Sequence, residues 1–292
     1  MTIQDKFPDF VEAAKELDQL ALEGFFGNTA KERTLSRDMM ERSQFYSACL
    51  DDWVSDTNQY GKPEVVKMIF AFLKLYIESI QKGGQKSIDA LTHFMTGVPE
   101  NPETECLSSF TEFLRLHSEV KIRISETKQT SFISDSAKKR LGGALTNSYS
   151  KGVELISKML TTCITLLEIS KGIQSNQLET YHLFLWKKIK RFNELSDGNY
   201  DVIVQAIDRD IRNAEAHLNI RFIPEKGVFK YKIREGKHLK SRKISVNEFI
   251  LDKYPRIGWV IQGFMYSSFL LIIGSIDQKL CETKMRQIIG EA

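Results

Sequence analysis

The stretch RDIRNAEAHLNIRF, residues 209–222, sets Arg212 and Asn213 shortly before His217 and then runs into a strongly basic segment. Read as a helix at about 100° per residue, its core stripe is Ile203, Ile207, Ile211, Ala214 and Leu218, within a sector of about 80°. His217 lies at the edge of that stripe, and Asn213, one turn back, is its neighbour on the same face. Arg212 points about 140° away from His217. One straight helix therefore does not aim both groups at one atom. Either the helix ends near His217 and frees its side chain, or a second copy of the helix faces the first across a two-fold axis. The second arrangement gathers two Arg and two His around one axis. Two identical imidazoles can then act as acid and base in breaking a phosphodiester without a metal.

The elements that must hold these groups read as follows. Apolar periodicity predicts helices over about 150–172, 177–195 and 200–218, and a fourth over 257–280. Between the third and fourth lies a β signal. VFKYKIR alternates, with Phe229, Tyr231 and Ile233 on one face and Lys230, Lys232 and Arg234 on the other. EGKH supplies a turn at Gly236, LKSRKISV returns as a second strand, and Ser245 with Glu248 forms a capping box for the next helix. Residues 221–243 hold nine Lys/Arg against Glu225 and Glu235, so the segment carries +7 and the rest of the chain −4. Lys230, Lys232, Arg234, Lys237, Lys240, Arg242 and Lys243, interleaved with Phe229 and Tyr231, suit contact with an RNA backbone. The plainer reading is an edge hairpin guarded by lysines. KKIKRF, residues 187–192, reads as a solvated helix face. Asp208, Asp210 and Glu215 flank the motif, and a solvated face is the simpler reading for them than a role in tuning the imidazole.

An Arg followed by a polar residue, with His a few positions on, late in the third helix of a four-helix unit, resembles the HEPN superfamily. Fourteen Arg and five His give about 0.24 such R-x4-H pairs by chance, and about 0.01 once Asn must follow the Arg. The likeness covers roughly residues 145–290. It implies an all-α, HEPN-type four-helix bundle with a basic β-hairpin insertion, a homodimer, and metal-independent RNA cleavage in antiphage defence or toxin–antitoxin growth control. By that resemblance His217 is general acid or base while a 2′-hydroxyl attacks its own phosphate. Arg212 stabilises the pentavalent phosphate through its planar fork, and Asn213 orients His217 or binds phosphate. The products are a 2′,3′-cyclic phosphate and a 5′-hydroxyl, and a partner protein such as an antitoxin is implied. Some members carry Tyr two residues after the His as a modification site. This chain has Asn219 there, so that modification is not expected. Inactive members serve only as dimerisation or RNA-binding scaffolds, which is the alternative reading.

Upstream, apolar residues recur at helical steps between Phe10 and Phe26. A stripe of Val65, Ile69, Phe72, Leu73 and Ile77 follows Pro63 and ends at Gly83-Gly84, and a further helix follows the breaker GVPENPE. A boundary is expected in 127–147, dividing an N-terminal helical region of unknown role, 1–140, from a HEPN-like domain, 141–292. With 292 residues, 42% hydrophobic and 27% charged, the chain has the composition of a globular protein and not a disordered one. Cys49, Cys106, Cys163 and Cys281 are far apart, with no CxxC and no His at ligand spacing. That predicts neither a metal site nor a disulfide framework, no cofactor, and a cytoplasmic setting. Residues 257–276 lack any charge over twenty positions; a buried core or dimer-interface helix is preferred to a membrane span. His182 is expected in the core and His238 in a turn. DNA recognition is disfavoured, because the positive charge falls on a hairpin and not on a recognition helix.

Overall fold

The computed structural model describes residues 6–56, 59–129, 133–217 and 219–291. In chain order come α1 (Pro8–Leu22), α2 (Asn28–Ser36), α3 (Arg42–Ser55), α4 (Lys62–Gly83), α5 (Gln85–Thr96), α6 (Leu107–Gln129) and α7 (Asp135–Ser170). Then follow α8 (Gln177–Tyr181), α9 (Leu185–Ser196), α10 (Asp201–Val204) and α11 (Arg209–Ala216). A sheet of β1 (Ile220–Ile223), β2 (Val228–Glu235) and β3 (His238–Ser245) precedes α12 (Tyr254–Ile276) and α13 (Gln278–Ile289). The chain is thus mostly helical with one small antiparallel sheet, of strand order β1-β2-β3.

Pro63 in the first turn and Gly84 after the last bound α4. Val65, Ile69, Phe72 and Leu73 are buried as their spacing predicts, but Ile77 is 45% exposed and Met68, Leu75 and Tyr76 turn inward instead. The reason is that α4 packs on α5, α7 and α12 together, so its apolar arc is wider than one stripe. α12 is the uncharged stretch. Its Gly263 lets the backbone approach Met68, where a Cβ would collide. Its Ser267 hydroxyl donates to the Ile69 carbonyl at 2.9 Å. Phe264 sits against Phe72, Tyr76 and Phe94 with ring centroids 4.7–5.8 Å apart. Among the described residues, the helix ending at Ile276 alone is long and apolar enough to cross a membrane, and 56% of its most apolar window is buried against the rest of the protein.

α7 is longer than its apolar run predicts. The Ser134 hydroxyl caps it by accepting from the Ala137 amide at 3.2 Å, and Gly142-Gly143, within the 127–147 stretch where a boundary is expected, are helical. Gly142 is needed there because β1 lies against α7: a Cβ would come within 2.8 Å of the Phe222 side chain. Residue 140 lies inside α7, and one core joins Phe72 and Tyr76 of α4 to Tyr149 and Ile156 of α7 and Ile257 and Phe264 of α12.

Two further expectations change. The helix predicted over 177–195 breaks at 182–184, where His182 is exposed and not in the core. KKIKRF is not wholly solvated. Lys188 is buried, donates to the Ser157 carbonyl at 3.1 Å, and is pushed down to about 8 by burial, while Phe192 is fully buried. Such a lysine is tolerated because its stem lies among apolar neighbours and its head finds a carbonyl.

Candidate functional site

The helix predicted over 200–218 is two pieces, α10 and α11, and the break is made by Asp208. Its carboxylate accepts from the Asp210 and Ile211 amides at 3.2 Å each, starting a new helix. Its amide donates to the Tyr149 hydroxyl at 2.8 Å, and Lys253 pairs with its other oxygen at 3.5 Å. Ile203, Ile211 and Ala214 are buried and Ile207 half-buried, as their spacing predicts; Leu218 lies outside the described residues. Only eight residues long, α11 rests on α7 and on the sheet.

α11 ends at Ala216, and His217 occupies its C-terminal cap, its amide donating to the Asn213 carbonyl at 3.1 Å. His217 is exposed, and among the described residues its imidazole has no hydrogen-bond partner. Of the two arrangements open from the sequence, the chain by itself adopts the first, a helix that stops and frees the histidine. Arg212 lies back against α7. One guanidinium nitrogen is 3.5 Å from the Glu154 carboxylate and another donates to Asn213 Oδ1 at 3.3 Å, while Nε is buried without a partner among the described residues. Arg212 and Asn213 are therefore brought into contact with each other, and neither side chain bonds to His217. Asp208 stands about 13 Å along the axis from His217 and caps the helix without touching the imidazole. A charged groove of about 250 Å³, lined by Asp208, Arg209, Lys253 and Arg256, lies at that same far end.

Asn219 joins motif to sheet: its amide donates to the Ala214 carbonyl at 2.6 Å and its carbonyl accepts from Lys232 at 3.1 Å. The expected hairpin is present, with a third strand, β1, that the sequence reading missed. Directly paired residues share a face, so the register Phe222–Phe229–Ile244 turns one row onto Tyr149 and Phe249 in the core. The seven expected RNA contacts then divide. Lys230, Lys232, Arg234 and Lys243 share the outer face, joined by Arg221 from β1. Lys240 and Arg242 lie on the other face and are tied to Glu235, whose carboxyl their hydrogen bonds hold below the usual range; Lys237 is in the turn. His238 opens β3 opposite Glu235 and is not in the turn. Phe229 is wholly buried, so it is not free to stack on a base. The signal for Arg221 was the alternation Ile220-Arg221-Phe222, too short to read as a strand without its partner.

Two other histidines have side-chain partners within the fold. His93 Nδ1 is 3.3 Å from Gln177 Oε1, and His117 Nδ1 is 2.8 Å from the Tyr254 hydroxyl. Among the described residues no group of three or more His, Cys, Asp or Glu could hold a metal, and the four cysteines are unpaired. Compared with protein-family models, curated proteins and solved structures, the chain matches none.

Proposed function

We propose that the chain is a metal-independent endoribonuclease of the HEPN type, working in the cytoplasm as a symmetric dimer in antiphage defence or toxin–antitoxin growth control. The observation that carries this reading is the end of α11: an exposed imidazole at the cap, without a partner among the described residues, one turn beyond a touching Arg–Asn pair. In this reading two copies of α11 meet at a two-fold axis. One His217 takes the proton of an RNA 2′-hydroxyl as its oxygen bonds to the adjacent phosphorus. The bond from phosphorus to the 5′-oxygen breaks, and the second His217 gives that oxygen a proton. Arg212 steadies the charge on the phosphoryl oxygens. The dimer is necessary because a single α11 presents one imidazole, and acid and base must act together.

A non-catalytic scaffold is the second reading, and it is favoured by the engagement of Arg212 with Glu154, which would compete with a phosphate for the guanidinium. The two separate by incubating the protein with total RNA in EDTA, beside His217→Ala and Arg212→Ala. The nuclease reading expects cleavage ending in 2′,3′-cyclic phosphate, reduced about 100-fold or more in His217→Ala. Silence from all three proteins with an intact dimer supports the scaffold, and equal cleavage by all three rejects the site. A co-purifying small protein that suppresses cleavage identifies an antitoxin.

A further inference from the structure

The register of the sheet puts Arg221, Lys230 and Lys243 directly opposite one another across its three strands, on the face turned from the core. Lys232 and Arg234 continue the row along β2, about 7 Å per step, while the strands stand about 4.8 Å apart. The other positions on this face are Ile223, Val228, Leu239, Ser241 and Ser245, so it bears no acid. Among the described residues none of the five cations has an ion-pair partner; the nearby Glu235 points to the opposite face and is taken by Lys240 and Arg242. Four of the five are exposed and Lys230 is half-buried. Like charges directly opposite destabilise an antiparallel pair. A row of three with no acid between them is a place where a bound anion, like added salt, relieves the repulsion. The face also bears no aromatic ring, since Phe229 and Tyr231 point inward, and so it can grip a backbone but cannot stack a base.

We propose that this outer face is a docking surface for the phosphodiester backbone of RNA, indifferent to base sequence and independent of the inner-face cations. The choice of RNA among polyanions rests on the ribonuclease reading; the face itself does not.

The test is titration of the full chain into a fluorescent, mixed-sequence 2′-O-methyl RNA, which binds but has no nucleophile to be cleaved. Arg221→Gln/Lys230→Gln/Lys243→Gln is expected to lose about tenfold or more in affinity. The slope of log affinity against log salt should fall by about 2, since each lost phosphate contact on a single strand removes about 0.7. Lys240→Gln/Arg242→Gln is expected to change affinity less than about twofold. Lys243→Gln alone, on an edge strand, should lose about threefold and keeps the test decisive if the triple variant misfolds. Equal losses from inner and outer variants overturn the proposal, as does binding to anionic phospholipid vesicles but not to RNA. If the RNA docks as described while unmodified RNA is left intact, the docking surface stands and the nuclease reading falls. If the triple variant still cleaves and binds like the parent, the docking surface falls and the nuclease reading stands.

Discussion

His117 and His217 sit in two regions built on opposite plans. His117, on the 23-residue α6, stacks between Phe113 and Tyr254 with ring centroids 5.6 and 5.7 Å away and shares a hydrogen bond with the Tyr254 hydroxyl. Burial, with Lys121 adding to it, pushes its pKa down to about 3. His217 ends an eight-residue helix, exposed and without a side-chain partner among the described residues. The residue type is the same; the supporting elements differ. α6 and α12 close on His117 from both sides, whereas α11 is held by Ile211, Ala214 and the Asp208 cap and stops at its histidine. A half-buried side chain stacked between two rings becomes part of the fold, and one at the end of a short helix is left in solvent.

The comparison breaks first in the core. Phe264→Ala should cost about 3–5 kcal/mol in urea unfolding, because its ring fills the space between α4, α5 and α12. His217→Ala should stay within about 0.5 kcal/mol of the parent. A comparable loss from both would mean that α11 is as deeply committed to the fold as α12.

Acid sharpens the difference at His117. Its folded pKa lies below the unfolded value of 6.5, so the unfolded chain takes up the proton first. Stability from this group is full above about pH 6.5 and falls as pH drops towards 3, by up to about 1.4 kcal/mol per unit. His117→Gln should flatten that part of a Tm-against-pH curve; an unchanged slope would show that water reaches the ring.

Loss of the cap tests how α11 is held. Asp208→Ala should cost about 1 kcal/mol, and amide exchange at Asp210 and Ile211 should quicken ahead of the core. The smallest effect belongs to Glu154→Gln. This partly exposed pair contributes about 0.5 kcal/mol or less, but freeing Arg212 should raise RNA affinity two- to threefold. Unaltered affinity would show that Glu154 does not compete with phosphate.

How much of this was legible beforehand varies by region. The buried face of α4, the hairpin and the apolar α12 follow from spacing and composition. Ile77 was misplaced because one helical stripe was assumed where three neighbours widen the buried arc. β1 was invisible because four residues carry too little alternation until β2 lies beside them. Gly142-Gly143 fall in the stretch where a boundary was expected, although the approach of Phe222 requires a glycine at 142 inside the helix.

Local chemistry written into the chain determined that Asp208 can cap a helix, that Arg212, Asn213 and His217 fall within two turns, and that positive charge concentrates between 221 and 243. Tertiary structure decided which of these groups meet. It turned Arg212 towards Glu154, left His217 in solvent, and sorted the cations onto two faces by strand register. The physical reason is that helix caps and side-chain alternation depend on neighbours in sequence. Burial, charge pairing and strand register depend on residues far along the chain.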